Sequence, residues 1–188
     1  MTNSFSFMQS LVFVISFAVL CGASKSDACP DLIQRTCRTI AKTDTNVNYN
    51  FCVGSLQHVP KSQRTDLQKL GAAAMKVVEA NATGTYLLIK KLLKKERKIS
   101  RKTRLQDCLE LYSDAISSMQ DAVKYFESKS YDDVNVMVSG AMTDSDTCED
   151  GFAEVGEASP LKKNDADMLK LTAIVLSIVN MSRLYGLG

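Results

Sequence analysis

The chain has 188 residues, enough for one domain or two small ones. Its 23 Lys and Arg against 21 Asp and Glu leave a formal charge of +2, which excludes the broad basic surface that nucleic-acid binding needs. Three Pro and nine Gly exclude collagen-like and low-complexity chains, and a single His excludes a histidine-built metal site, so the six Cys are the informative feature.

Leu11 to Leu20 reads LVFVISFAVL, apolar apart from Ser16. Small residues follow at Cys21-Gly-Ala23 and Ser26-Asp-Ala28. This pattern predicts a secretory signal peptide over residues 1–23, with cleavage as late as residue 28. Its n-region is atypical, because residues 1–24 hold no Lys or Arg. No later apolar run is long enough to span a bilayer. The mature chain is therefore expected to be soluble, free of the membrane and exported to an oxidising compartment. Loss of the signal removes Cys21 and leaves Cys29, Cys37, Cys52, Cys108 and Cys148. No Cys-x-x-Cys pair exists and His58 is not spaced as a zinc ligand, so staples are expected rather than a metal. A Cys37–Cys52 loop would contribute about 3 kcal/mol by chain entropy and a Cys108–Cys148 loop about 4 kcal/mol. Spacing alone does not choose these pairings over their rivals. Under them Cys29 is left over, expected as a free or capped thiol in an N-terminal tail, with an extra bridge or a dimer contact as the alternative.

The rest of the chain reads as helices. Leu32, Ile33, Thr36, Cys37 and Ile40 fall at helical spacing over 31–43, and Tyr49, Cys52, Val53 and Leu56 do so over 49–57. The turn cluster Thr43 to Asn48 joins them into a hairpin, which His58-Val-Pro60 ends. Thr65 with Gln68 is a capping box opening the run Leu67, Leu70, Ala74, Val77, Asn81, Leu88, Leu92. A second run follows over Thr103–Phe126: Leu105, Cys108, Tyr112, Ala115, Met119, Ala122, Phe126. Ser130 with Asp133 opens a third: Val134, Met137 or Val138, Ala141, Ser145, Cys148, Phe152. Residues 156–164 read as a loop, and Leu169 to Tyr185 closes the chain with Leu171, Val175, Ile178 and Tyr185 in line. The expected architecture is all-α: a short hairpin over 29–58, then an up-and-down four-helix bundle over 65–188. Antiparallel neighbours would set Cys108 and Cys148 side by side, which favours that pairing on topology.

The search for chemistry finds no nucleophile elbow, phosphate-cradling loop or metal-protease motif, so neither catalytic residue nor cofactor is expected. His58 reads as an exposed loop residue. Asp144, Asp146, Glu149 and Asp150 read as solvated helix surface rather than an acid pair. Lys90 to Arg104 carries nine cations against Glu96 alone, a solvated helix end or an attachment to an acidic wall polymer such as pectate. Asn81-Ala-Thr83 and Asn180-Met-Ser182 are glycosylation sequons, and Asn81 falls on the seam of its helix.

Taken together, Ile33-Gln-Arg-Thr-Cys37, Asn48-Tyr-Asn-Phe-Cys52, Leu105-Gln-Asp-Cys108-Leu-Glu-Leu-Tyr112-Ser-Asp-Ala115 and Asp146-Thr-Cys148-Glu-Asp-Gly-Phe152 resemble the plant invertase and pectin methylesterase inhibitor family. The flanks of Cys52 and Cys148 are most similar to its plane-pollen allergen branch. The resemblance spans the mature chain, residues 29–188. It implies bridges Cys37–Cys52 and Cys108–Cys148, no enzyme activity of its own, and one-to-one inhibition, as a monomer, of pectin methylesterase or acid invertase in the cell wall or vacuole. Invertase-directed members carry Pro-Lys-Phe before the third long helix as a plug for the sugar pocket. Here that place reads Tyr131-Asp132-Asp133, and an acid pair would meet a carboxylate-lined pocket with like charge. A Tyr there resembles the esterase-directed members, whose second and third bundle helices cover the target's cleft. Asp114, Ser117 and Asp121, off the core line of their helix, are the expected contacts on that face, with Tyr131 and Asp132 at its corner. Carboxylates facing an esterase's own acids imply tighter binding at about pH 5 than at about pH 7.5.

Overall fold

The computed structural model describes residues 31–186, with side chains through Leu184. The predicted signal peptide, Cys29 and the Tyr185 side chain lie outside the described residues. Six helices follow one another: α1 (Leu32–Thr43), α2 (Tyr49–Leu56), α3 (Leu67–Leu93), α4 (Ile99–Glu127), α5 (Tyr131–Glu154) and α6 (Lys162–Gly186). One 3-10 turn, Lys61–Gln63, lies between α2 and α3, and no strand occurs among the described residues. Each long helix packs on its successor and α6 returns to α3, which is the up-and-down bundle. The α1–α2 hairpin rests on α3 and α6. Cys37–Cys52 joins the two hairpin helices, and Cys108–Cys148 joins α4 to α5.

Every expected seam residue of α4, from Leu105 to Phe126, is buried. On α5 it is Val138 rather than Met137 that faces inward. On α3 the expected Leu70 and Ala74 are buried, but beyond them the seam runs one residue later: Val78, Ala82 and Ile89 are buried, while Val77, Asn81 and Leu88 flank them. Gly71, Ala73, Ala74 and Ala82 admit neighbouring side chains, and an ideal Cβ on Gly71 would stand 2.6 Å from Phe126 Cζ. A seam drawn through large apolar residues misses that contact.

Local chemistry sets the ends. Asn48 caps α2, its Oδ1 accepting from the Asn50 N–H at 2.8 Å. Asp66, not Thr65, caps α3: its Oδ1 accepts from the Lys69 N–H at 2.8 Å, and the Thr65 hydroxyl donates to Asp66 Oδ2. Gln68 is thereby free to donate to the Phe126 carbonyl at 2.7 Å. Ser130 holds the N-cap place of α5 without a side-chain cap bond, so Asp132 and Asp133 complement the helix dipole instead. The last helix begins at Lys162, about two turns before the expected Leu169. The Ser159 hydroxyl accepts from the Leu161 N–H at 3.0 Å, and buried Leu161 anchors a polar opening that hid the helical period. Likewise α4 begins at Ile99, so Arg101 and Lys102 are helical.

Helices α4 and α5 end alike. After α5, Gly156 takes φ +66°, with Gly156 N–H donating to Ala153 O and Glu157 N–H to Phe152 O. After α4, Lys129 takes φ +61°, with its N–H donating to Phe126 O and that of Ser130 to Tyr125 O. Both are Schellman caps, one built on the residue suited to a left-handed backbone and one not.

Candidate functional site

The outer face of α4 and α5 carries a cleft of about 490 Å³. Arg104, Leu111 and Asp114 line it from α4, and Thr147, Gly151 and Glu154 from α5, above the Cys108–Cys148 bridge. Gly151 lies against the Arg104 side chain, where a Cβ would stand 3.6 Å from Arg104 Cδ in ordinary contact. Arg104 Nη1 pairs with Asp107 at 3.2 Å. Across the helices Asp144 meets the charge of Asp114. Burial first, and that neighbour second, push the Asp144 carboxyl up to about 6. The expectation that Asp144 is plain solvated surface is therefore corrected: it is half-buried and titrates close to neutrality.

The residues expected at the interface divide in two. Asp114 and Ser117 are exposed on one stripe of α4, the Ser117 hydroxyl turned back onto Ser113 O at 3.2 Å. Asp121 continues the stripe, half-buried and paired with Lys124 at 2.8 Å. Tyr131 and Asp132 do not join it. The Tyr131 ring meets Phe126 edge-on at 5.8 Å, and its hydroxyl donates to Gln68 Oε1 at 3.3 Å. Asp132 accepts from Arg183 of α6 at 2.7 Å. Val136 was missed by sequence reasoning. It is 63% exposed, and the register set by Cys108–Cys148 and Asp114–Asp144 places it across from Asp121. Its signal was present in the pattern, because Val134 and Val138 already fill the α5 seam.

Inside the bundle a second acidic group lies behind the cleft. The Tyr112 hydroxyl donates to Asp165 Oδ1 at 2.6 Å. Glu149 stands beside them, with Oε2 buried and unbonded. Burial, above all, pushes the Asp165 carboxyl up to about 7 against the lowering effect of the Tyr112 hydrogen bond, and raises the Tyr112 phenol as well. Of the sequons, Asn180 is exposed, whereas Asn81 is half-buried with Oδ1 enclosed and unbonded. No helix among the described residues is long and apolar enough to cross a membrane.

The model of the plant invertase/pectin methylesterase inhibitor family matches residues 31–178, which include α1 to α5 and the first two-thirds of α6. The chain belongs to this family. It is 43% identical over 152 residues to "Putative invertase inhibitor" of Platanus orientalis, covering 80% of this chain and 89% of that one. It is 29% identical over 180 residues to "Pectinesterase inhibitor" of Actinidia deliciosa, covering 95% and 97%. Among solved structures it is similar to a mutant form of a pectin methylesterase inhibitor from Arabidopsis, with a TM-score of 0.65 at 24% identity, covering 76% of this chain and 95% of that one. That likeness carries the bundle fold. Members of the family inhibit enzymes and are not enzymes themselves.

Proposed function

We propose that this family member inhibits a plant pectin methylesterase, one molecule to one, by laying the α4–α5 face over the enzyme's active-site cleft. Asp114, Ser117, Asp121 and Val136 supply the contact line. Residues 29–188 are the inhibitory unit, and residues 1–23 export it to the cell wall, where Asn180 is the accessible sequon. The single observation behind the choice of target is the corner at Tyr131-Asp132. Its two side chains are engaged by Phe126, Gln68 and Arg183, and neither is a cation that could plug a sugar pocket. The exposed stripe of α4 is left as the surface a partner meets, on a scaffold stiffened by a disulfide before docking.

A second reading, inhibition of an acid invertase, is favoured by the 43% identity to the Platanus protein. Parallel assays separate the two. Purified mature protein is titrated against a plant pectin methylesterase and against a cell-wall invertase hydrolysing sucrose. Loss of esterase turnover with sucrose hydrolysis unchanged is the expected result. The reverse outcome transfers the assignment to invertase.

A further inference from the structure

The turn between α3 and α4 is the most charged place on the molecule. Nine cations between Lys90 and Arg104 face one acid in that segment, leaving +8, so with +2 overall the remaining chain sums to −6. Three of the nine are neutralised where they stand: Lys98 by Glu157, Arg101 by Glu96 at 3.3 Å, and Arg104 by Asp107 at 3.2 Å. The other six, Lys90, Lys91, Lys94, Lys95, Arg97 and Lys102, are exposed and have no ionic partner among the described residues. Lys90 alone has another contact, 5.4 Å above the Tyr86 ring. The local acids are also spent on the backbone: Glu96 Oε1 accepts from the N–H groups of Arg97 and Lys98. Helix α4 has no acidic residue in its first turn, so its positive end adds to the same field.

Such crowding works against the fold, because like charges four residues apart repel on a helix. Lys90 with Lys94, and Lys91 with Lys95, stand in that relation as α3 ends. A partner of opposite charge would relieve the repulsion.

We propose that this turn is a second binding site, separate from the α4–α5 face, that holds an unesterified polyuronate. Five of the six free cations are Lys, flexible point charges that suit a chain of separated carboxylates. Duplex or phosphate recognition favours the planar fork of Arg. Tyr86, the aromatic ring beside the patch, is covered by Lys90 and is not free to stack a base. Ile99 is 82% exposed beside it, but one side chain is not the apolar face that insertion into a lipid surface requires. The inference rests on the esterase reading above for its biological sense. A pectin methylesterase converts methyl esters into carboxylates, so a carboxylate-binding inhibitor collects where its target has already worked.

The test uses the mature protein without any enzyme. Retention on immobilised polygalacturonate is measured as salt is raised from about 50 mM, with fully methyl-esterified polymer, duplex DNA and phosphatidylserine vesicles as parallel arms. The wild type is expected to bind the free acid, to ignore the ester and to elute as salt rises. The variant K91A/K94A/K95A/K102A is expected to lose at least about tenfold in affinity. Its thermal midpoint should not fall, because repulsion is relieved. Equal retention of the variant, binding to the ester, or tighter binding to DNA or vesicles would overturn the proposal. The wild type is also assayed as an esterase inhibitor on highly esterified pectin, where the variant is expected to inhibit equally. Retention without inhibition sinks the esterase reading alone, and inhibition without retention sinks this site alone.

Discussion

The Tyr112 hydroxyl on α4 donates to Asp165 Oδ1 on α6 at 2.6 Å, and Asp165 Oδ2 stands 4.0 Å from Cys148 Sγ on α5, so three helices meet at one buried carboxyl. From α5, Glu149 and Asp146 face it with negative charge. From α3 the neutral Thr85 hydroxyl faces Tyr112 and accepts from Asn164 at 3.2 Å. Asp165 therefore titrates at about 7, far above its unfolded value. A carboxyl raised in the folded state binds its proton more tightly there, so its stabilisation is full in acid and is lost as pH climbs from about 4 through about 7. The whole effect is on the order of 4 kcal/mol at 1.36 kcal/mol per unit. Urea midpoints should decline between about pH 5 and pH 8. Asp165→Asn should flatten that decline, and an equally steep curve in D165N would refute the assignment. Tyr112→Phe should cost about 1–3 kcal/mol in acid by removing a buried partner.

The Asp114–Asp144 pair gives the docking face its own pH dependence. Asp144 carries a proton below about 6, so the face is less negative in acid and approaches an acidic cleft more readily. Around it, the face also bears Arg104, Asp107, Asp150 and Glu154. Inhibition of the esterase should be tighter at about pH 5 than at about pH 7.5, and Asp144→Asn should remove most of the difference. Val136→Asp should weaken inhibition at least about tenfold with no loss of thermal stability, as befits an exposed contact. Calorimetric titration at the two pH values checks both.

The two bridges close loops of different size, with sequence separations of 15 and 40 residues. Replacing Cys108 and Cys148 by Ala should cost about 4 kcal/mol, and replacing Cys37 and Cys52 about 3 kcal/mol. Guanidinium unfolding of each double variant measures the ranking. A smaller loss from the bundle pair than from the hairpin pair would contradict it.

Two glycines of α3 should respond in opposite ways to one methyl group. At Gly71 the new Cβ would meet Phe126 at 2.6 Å and Ile178 at 3.2 Å, against a ring that is wholly buried. Gly71→Ala should therefore cost about 1–3 kcal/mol by overpacking. Gly84 is exposed with nothing within 4 Å, so Gly84→Ala should gain about 0.5–1 kcal/mol of helix stability. Differential scanning calorimetry of the pair separates packing from backbone entropy.

Lys129→Gly should stabilise the protein by about 1 kcal/mol, because the left-handed turn after α4 then has the residue its twin after α5 already uses. An unchanged thermal midpoint would mean that the Lys129 side chain offsets its own strain.

The sequence announced the whole α4 seam, because its core residues keep a regular three-four spacing from Leu105 to Phe126, but not the first turn over 99–102, which is charged and has no apolar period. It read Leu70 and Ala74 of the α3 seam but missed Gly71, Val78, Ala82 and Ile89, because Gly71 and Ala82 are small and Val77 and Leu88 offer apolar neighbours to Val78 and Ile89. It lost the first turns of α6 because Lys162, Lys163 and Asn164 precede any apolar period, while the burial of Asp165 depends on Tyr112 from another helix. The exposed stripe Asp114, Ser117 and Asp121 could be read from spacing alone. Asp144 could not, since its rise comes from burial and a carboxylate thirty residues away. Tyr131 and Asp132 are engaged by Gln68 and Arg183, partners far along the chain that local pattern does not reveal.

The Cys37–Cys52 bridge begins and ends inside the hairpin, and among the described residues no sulfur ties that hairpin to the bundle. Lifting it away needs only the separation of apolar faces such as Ile33, Ile40 and Leu56, with the Lys170–Phe51 contact, from α3 and α6. Each piece would keep its own covalent clasp through such an excursion. Amide exchange should consequently reach α1 and α2 through a partial opening, well before the four long helices yield, and reseating would need no oxidative step.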